Sequence, residues 1–330
     1  MRPPAFWNLE PGRFSLGRVA FSPLGWLYGG VTARRVAQPA SYTAEVPVLC
    51  IGNLNAGGTG KTPTAIALIQ YLQSKGLTPH VISRGYGGSA KDLTRVDERK
   101  HSASEVGDEP MLLAAFAPTW VCADRTKAAR AAQEAGADLI LMDDGFQNPS
   151  LRKDASIIVA DAQRGFGNGS CIPAGPLREP VGAGLARGDL LLTIGNSAAQ
   201  TRFDTLWGGK VKLPHARAEL VPLQTGMDWT ATPFLAFAGI GYPEKFFATL
   251  RALGATVLET HALDDHQPLT TALLQRMEAD AARLGAQLVT TEKDAVRLPT
   301  AYRSKVLTLP VRLEVKDWTE IDALMNRLLK

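Results

Sequence analysis

From Val46 onward the chain is written in short, continuous apolar runs that end in glycine or polar residues, each followed by a stretch with apolar positions three and four apart. "VPVLCIGN" predicts a strand, and "TPTAIALIQYLQSKG" predicts a helix that stops at Gly76. "TPHVISRGYGG" reads as a strand ending in a glycine loop, "PMLLAAFA" as a short helix, "TWVCAD" as a strand and "RTKAARAAQEAG" as a helix. "ADLILMDDGFQ" and "ASIIVADAQRGFGNG" are two further strands, the second running into a loop. The pattern weakens over residues 205 to 230, where no long helix is apparent. A second alternating run follows: strand "FLAFAGI", a helix from Pro243 to about Leu253, strand "ATVLETH", helix "LTTALLQRMEADAARLG", strand "AQLVTT", strand "KVLTLPVRLEV" and a last helix from about Asp317. Strands alternating with helices predict a mostly parallel sheet covered on both faces, an α/β class. Ligands of such sheets collect beyond the carboxyl ends of the strands. The expected organisation is an N-terminal segment over 1–40, a first α/β domain over 41–220 and a second over 221–330.

Composition narrows the class. At 330 residues the chain is long enough for two ordinary domains, and 45% hydrophobic against 21% charged residues is the balance of a folded globule. No run of about 18 uninterrupted apolar residues occurs, so no spanning helix is expected. Cys50, Cys122 and Cys171 are widely spaced and odd in number, which argues against a disulfide framework and for a reducing compartment. The net charge of +4 is modest and calls for no nucleic-acid partner, but it is unevenly placed. Residues 1 to 40 hold Arg2, Arg13, Arg18, Arg34 and Arg35 against the single acid Glu10, among Phe6, Trp7, Phe14, Phe21, Trp26 and Tyr28. Such a segment can lie along an anionic bilayer surface or pack on the protein's own core, and both readings are open here. Pro3, Pro4, Pro11 and Pro23 break it up, so a cleaved signal peptide fits poorly.

The candidate chemistry begins at "GNLNAGGTGKTP", residues 52 to 63, between a strand and a helix. It matches the Walker A pattern except that Asn55 stands at the first glycine position. In the stretch Asn55, Ala56, Gly57, Gly58, Thr59, Gly60, Lys61, Thr62, the glycines let backbone amides face a β-phosphate. Lys61 can reach the β and γ oxygens, and the Thr62 hydroxyl is placed for Mg²⁺. Partition-type ATPases carry a lysine before the double glycine, where this chain has Ala56. Asp143 and Asp144 end an apolar run as a Walker B strand does, a second pointer to Mg²⁺. No Asn-Lys-x-Asp stretch occurs, and "TTEKD" at 290 to 294 lacks the asparagine, so ATP is the expected nucleotide.

Three stretches suit the neighbourhood of a phosphate: "SRGYGG" with Arg84, "VGDEP" with Asp108 and Glu109, and "AGPLREP" with Arg178 and Glu179. Arg84 and Arg178 can hold a phosphate or form structural ion pairs. A carboxylate such as Asp108 can take the hydroxyl proton of a phosphoryl acceptor, although "GDEP" also reads as a helix start. His266, after Asp265, is either a local structural histidine or a partner for Asp108 across a cleft.

"GNLNAGGTGKTP", "SRGYGG", "VGDEP", "DDGFQ", "PAGPLREP", "AFAGIGYPEKFF", "DDHQ" and "TTEKDAVRL", in this order over residues 52 to 298, closely resemble the tetraacyldisaccharide 4'-kinase family. The resemblance implies a P-loop NTPase-like α/β/α domain and a smaller α/β/α domain joined by a short β linker, with catalysis in the cleft between them. It implies transfer of the γ-phosphate of ATP to the 4'-hydroxyl of an acylated glucosamine disaccharide 1-phosphate, giving a lipid A precursor. It further implies a monotopic enzyme at the cytoplasmic face of the bacterial inner membrane, with no obligate protein partner. On the family's pattern Asp108 is the base, His266 assists it, Lys61 and Thr62 serve the nucleotide, and Asp143, Asp144 and Glu179 serve Mg²⁺ or activity. Members often carry two histidines where this chain has His266-Gln267, so His266 is matched by its place after Asp265. A four-chain lipid leaves a bilayer at a cost of about 0.8 kcal/mol per methylene, so the resemblance favours Arg13, Arg18, Trp26 and their neighbours facing lipid or the substrate's 1-phosphate. A regulatory P-loop ATPase and a small-molecule kinase are the competing classes.

Overall fold

In the computed structural model, which describes residues 4–330, the continuous apolar runs become strands buried on both faces; Arg2 and Pro3 lie outside the described residues. In chain order the strands are β1 Val48–Gly52, β2 Pro79–Ser83, β3 Thr94–Arg95, β4 Thr119–Val121, β5 Leu139–Asp143, β6 Ala155–Asp161, β7 Leu190–Ile194 and β8 His215–Pro222. Then come β9 Phe234–Ala238, β10 Val257–Ala262, β11 Gln287–Thr291, β12 Val306–Leu309 and β13 Val311–Val315. One nine-stranded sheet runs β13-β8-β7-β6-β1-β5-β2-β4-β3, and a four-stranded sheet runs β10-β9-β11-β12. The second sheet is parallel throughout, and the first is parallel except for its two edge pairs, β3 with β4 and β8 with β13.

Alternation of side chains across a strand makes β1 the divider of two cores. Val48 and Cys50 face the helices Arg125–Glu134 and Ser197–Trp207, which supply Ala128, Ala129, Ala132, Phe203 and Trp207. Leu49 and Ile51 face the helices Lys61–Ser74 and Thr319–Leu328, which supply Ile66, Ile69, Ile321, Leu324 and Met325. Parallel pairing sends the carboxyl ends of β1, β2, β5 and β6 to one edge. The glycine loop, Arg84, Asp143 and Asp161 therefore lie at that edge.

The structure departs from the sequence expectation in two places. Strand β7 and the helix Ser197–Trp207 are elements the sequence pattern did not assign, and β8 lies within 205 to 230 where the pattern weakens; β8 buries only the small residues Ala216 and Ala218 in a row of half-exposed neighbours. The run "KVLTLPVRLEV", expected as one strand, is two. Pro310 has no N–H for a ladder, and the chain changes sheets there: Leu309 pairs with Thr291 in the second sheet, and Val311 pairs with Pro222 in the first. The last helix follows β13 back. Trp318 stacks on Tyr71 at 4.9 Å, and the Tyr71 hydroxyl donates to Asp322. The polypeptide thus passes between the sheets twice, and the two passages touch where Leu223 N donates to Pro310 O at 2.9 Å.

The helix Leu16–Val36 inverts the usual arrangement. Its buried residues are Gly25, Gly29 and Thr32, and Gly25 lies so close that a β-carbon there would stand 2.9 Å from Cys171 O. Its large residues face outward, with Leu16 77% and Trp26 79% exposed beside Phe21, Leu24, Leu27 and Val31. Among the described residues no helix is long and apolar enough to cross a membrane.

Because the last helix seals the core on the Leu49 and Ile51 face of the first sheet, Leu324→Ala should cost roughly 2–5 kcal/mol. Hydrogen exchange read by mass spectrometry should then quicken in β1 and β8 while Val306–Leu309 keeps its protection. Loss of protection confined to the second sheet would contradict this packing.

Candidate active site

The glycine loop is held open by its neighbours. Gly60 caps the helix Lys61–Ser74 with φ at 97°, and Gly57 has φ at 112°, a region that favours glycine. Ala56 N donates to Pro176 O at 2.7 Å, and Arg178 N donates to Leu54 O at 2.7 Å. The Asn55 side chain donates to Gly165 O at 3.1 Å, so the residue that replaces the first glycine is a staple to the loop after β6. Asn53 donates to Gly57 O and to Thr59 Oγ1 from inside the turn. A β-carbon added at Gly57 or Gly58 would meet nothing within 4 Å, which is the open side a phosphate needs.

The two acids at the end of β5 have opposite surroundings. Asp144, with φ at 47°, accepts a forked bond from Arg178 at 2.7 and 3.2 Å and lies 3.6 Å from Lys61 Nζ. Burial pushes its carboxyl up, but Lys61 and Arg178 outweigh that and hold it at about 2. Asp143 is 1% exposed, its Oδ1 has no hydrogen-bond partner, and Ser83 Oγ approaches Oδ2 only at 3.5 Å. Burial, aided by the charge of Glu109 and opposed by Lys61, raises Asp143 to about 7. An orphaned, buried carboxylate beside the start of the Lys61 helix fits a divalent cation, with Thr62 as a neutral oxygen donor. Glu179 is engaged differently: Arg187 Nη2 lies 2.6 Å from both of its oxygens, and Gln147 donates at 2.9 Å while also holding Asn53 O. Asp143, Asp144 and Glu179 do not converge as a set of ligands; among the described residues that closeness occurs at Glu259, His261 and Asp280, far along the chain on the second sheet's edge.

Asp108 opens the helix Asp108–Ala114 and is 3% exposed. His266 Nδ1 lies 3.0 Å from Asp108 Oδ2, and Arg297 Nε lies 3.8 Å from the same oxygen. Neither approach is aligned as a hydrogen bond, so Oδ2 keeps acceptor capacity, as catalytic carboxylates do before a substrate tightens the site. Burial pushes the Asp108 carboxyl up, but His266, Lys293 and Arg297 together hold it below the usual carboxylate range. His266 is raised chiefly by its contact with Asp108, against burial and the Lys293 charge. Its φ of 59° is fixed by His266 N donating to Gly239 O at 3.2 Å, and Tyr86 meets its ring edge-on at 5.6 Å.

Two cavities meet at this pair of acids. One, of about 230 Å³, is lined by Gly58 to Pro63, Glu109, Tyr242 and Lys293. The other, of about 490 Å³, is lined by Tyr86, Asp108, His266, Arg297 and Arg303. Adjacent residues of one helix turn therefore face different chambers. Of the remaining expected positions, Arg84 is exposed after β2 and forms no ion pair among the described residues, whereas Arg178 is committed to Asp144 and Glu109 to Lys293 at 3.1 Å. Sequence reasoning missed Lys293, Arg297, Arg125 and Gln147. Lys293 and Arg297 lie in "TTEKDAVRL", which carried no chemical spacing of its own, and Arg125 reveals itself only by its burial under Asp143 O at 3.5 Å.

The chain is similar to known proteins over nearly its whole length. The family described as "LpxK: Tetraacyldisaccharide-1-P 4'-kinase" matches residues 18–330. A tetraacyldisaccharide 4'-kinase of Dinoroseobacter shibae is 60% identical over 329 residues, 99% of this chain and 98% of that protein. One of Jannaschia sp. is 55% identical, covering 100% of this chain and 99% of that protein. Among solved structures, an "apo" form of LpxK from Aquifex aeolicus in complex with ATP aligns with a TM-score of 0.74 and 25% identity, over 95% of this chain and 99% of that one.

The raised Asp143 carboxyl has a sign that can be checked. In the metal-free protein its proton stabilises the fold below the unfolded value near roughly pH 4, and that contribution is lost as pH rises to about 7. In EDTA, Asp143→Asn should therefore raise the melting temperature more at pH 8 than at pH 5. An equal gain at both would contradict the assignment.

Proposed function

The chain belongs to the tetraacyldisaccharide-1-P 4'-kinase family, and from that premise we propose how its residues divide the work. It is an ATP-dependent lipid kinase that moves the γ-phosphate of ATP to the 4'-hydroxyl of a tetraacyldisaccharide 1-phosphate, forming lipid IVA. Family membership sets aside the reading as a regulatory ATPase without an acceptor.

The observation that carries the division of roles is the placing of Asp108 and Glu109 on the walls of two adjoining chambers. The smaller chamber takes the triphosphate end of ATP against the amides of Gly57 to Thr62, with Lys61 on the β and γ oxygens. The larger takes the sugar that bears the acceptor hydroxyl. Asp108 then accepts the hydroxyl proton as the oxygen bonds to the γ-phosphorus and the bond to the ADP oxygen breaks. His266 supports the developing acid from the opposite oxygen lobe. Thr62 and the open oxygen of Asp143 would hold Mg²⁺, which supplies charge neutralisation on the phosphate oxygens when bound. Asp144 keeps Lys61 and Arg178 in register, and Glu179 braces the loop through Gln147 and Asn53. Arg84, exposed after β2, offers a cation to a substrate phosphate.

The outward-facing apolar side of Leu16–Val36 supports a second part of the proposal, seating on an anionic bilayer at the cytoplasmic face of the inner membrane. ATP is available on that side, and the acyl chains remain in the lipid phase while the sugar enters the chamber.

Two outcomes follow. Asp108→Asn should lower kcat by roughly 10²- to 10⁴-fold in transfer of labelled phosphate to the disaccharide, with the KM for ATP little changed; turnover near the parent level would remove Asp108 as base. The pair Trp26→Glu with Leu27→Glu should abolish flotation with phosphatidylglycerol vesicles while turnover on detergent-dispersed acceptor persists. Flotation equal to the parent's would end the membrane reading.

A further inference from the structure

Lys293 starts from the second sheet and reaches the first. It lies in the short helix Glu292–Ala295 that follows β11, and its Nζ stands 3.1 Å from Glu109 Oε1, 3.3 Å from His266 Nε2 and 3.8 Å from Asp265 Oδ1. An ammonium group has three donors and no lone pair. A contact at 3.3 Å with a ring nitrogen is therefore favourable only when that nitrogen presents its own lone pair. Neutral His266 must then carry its proton on Nδ1, the atom that stands 3.0 Å from the Asp108 carboxylate.

We propose that Lys293 is a positioning residue that holds His266 in the tautomer whose Nδ1 proton faces Asp108. In the other tautomer a ring lone pair would oppose the carboxylate, and the ammonium would face an N–H. Both contacts would be repulsive, and Asp108 would lose the N–H that faces Oδ2 and can close to a hydrogen bond as the site tightens. Groups from every neighbouring element face the ring: Asp108 from the first sheet's helix, Lys293 and Arg297 from the segment after β11, Tyr86 from the glycine loop after β2, and Asp265 from the ring's own loop. Asp265 Oδ1 lies 3.7 Å from Nε2 and favours a proton there, but it is outweighed by the nearer Lys293 ammonium at 3.3 Å. Through Glu109 the same ammonium ties the tautomer to the approach of the two sheets, because Glu109 and Lys293 are contributed by opposite walls of the smaller chamber.

The kinetic part of this inference rests on the kinase reading above, whereas the tautomer itself can be read without any substrate. Full-length protein carrying ¹⁵N-labelled histidine, with neither nucleotide nor lipid, reports which ring nitrogen bears the proton; the His266 signals are identified by their loss in His266→Gln. The parent should show the Nδ1-protonated form at alkaline pH. Lys293→Met should bring in a measurable share of the Nε2-protonated form, whose proton then faces Asp265, and move the His266 titration to higher pH, since a like charge is gone. Lys293→Arg, which keeps a cationic donor, should retain the parent tautomer. In labelled-phosphate transfer Lys293→Met should lose kcat by roughly 10- to 100-fold, the scale of removing a partner that orients a reacting group. The acidic limb of its pH profile should shift upward, and Lys293→Arg should recover part of the loss. An Nε2-protonated His266 in the parent would overturn the proposal without recourse to any variant. So would a Lys293→Met protein with the parent's tautomer and pH profile, whatever its turnover.

Discussion

The 3.0 Å approach of His266 to Asp108 joins side chains that two different sheets contribute, and the carboxylate–imidazole pair of the cleft depends on that distance. A few tenths of an ångström decide whether a histidine steadies a carboxylate or merely neighbours it. The second sheet supplies His266 on a loop whose left-handed backbone is unfavourable for a residue with a β-carbon, by about 1–2 kcal/mol. That conformation persists because the loop is pinned from several sides: His266 N to Gly239 O, Asp264 N to Gln267 Oε1, and Arg297 Nη1 to Gln267 O. Arg297 is in turn held by Asp294, a fully buried acid that also accepts from Gly239 N. The strain is local, and the bonds that offset it belong to the rigid end of the second sheet.

What was legible in the sequence follows the range of the interactions. The glycine turn could be read because its chemistry is compressed into residues 55 to 62, and the buried strands could be read because their apolar runs are continuous. The pairing of Asp108 with His266 could be read only through the family resemblance, since each residue alone is equally consistent with a helix start or a structural histidine. The split of 305 to 315 was hidden because both halves are apolar strands. Only the change of partners at Pro310 separates them, and partners are not written locally. Asn55 departs from the first glycine of the phosphate turn and is a fastening whose target, Gly165, is supplied by the loop after β6. Asp143 and Asp144 read as equivalent neighbours, yet Asp144 is occupied by Lys61 and Arg178 while Asp143 retains an open oxygen.

The N-terminal helix shows how composition can mislead about orientation. Aromatic residues among arginines suggested either a core-facing or an outward apolar side, and the glycines decide between them. Gly25 and Gly29 permit a close approach to the 171–180 loop that larger residues would block, so the small face goes inward and the bulky face has nowhere else to go. Leaving Trp26 and Leu27 in water is unfavourable by roughly 25 cal/mol per Å² of apolar area, a standing penalty that an apolar environment would remove.

The double passage of the chain beside Leu223 and Pro310 also restricts how the cleft can open. A body joined to another by one strand of polypeptide can twist, slide and tilt, whereas two joined points, bonded to each other through Leu223 N and Pro310 O, leave mainly rotation about the line through them. Arg312, two residues beyond Pro310, grips Glu292 at 2.8 Å beside that line. Any relative rotation about it would change the His266–Asp108 and Lys293–Glu109 separations together, since His266 and Lys293 belong to the same body.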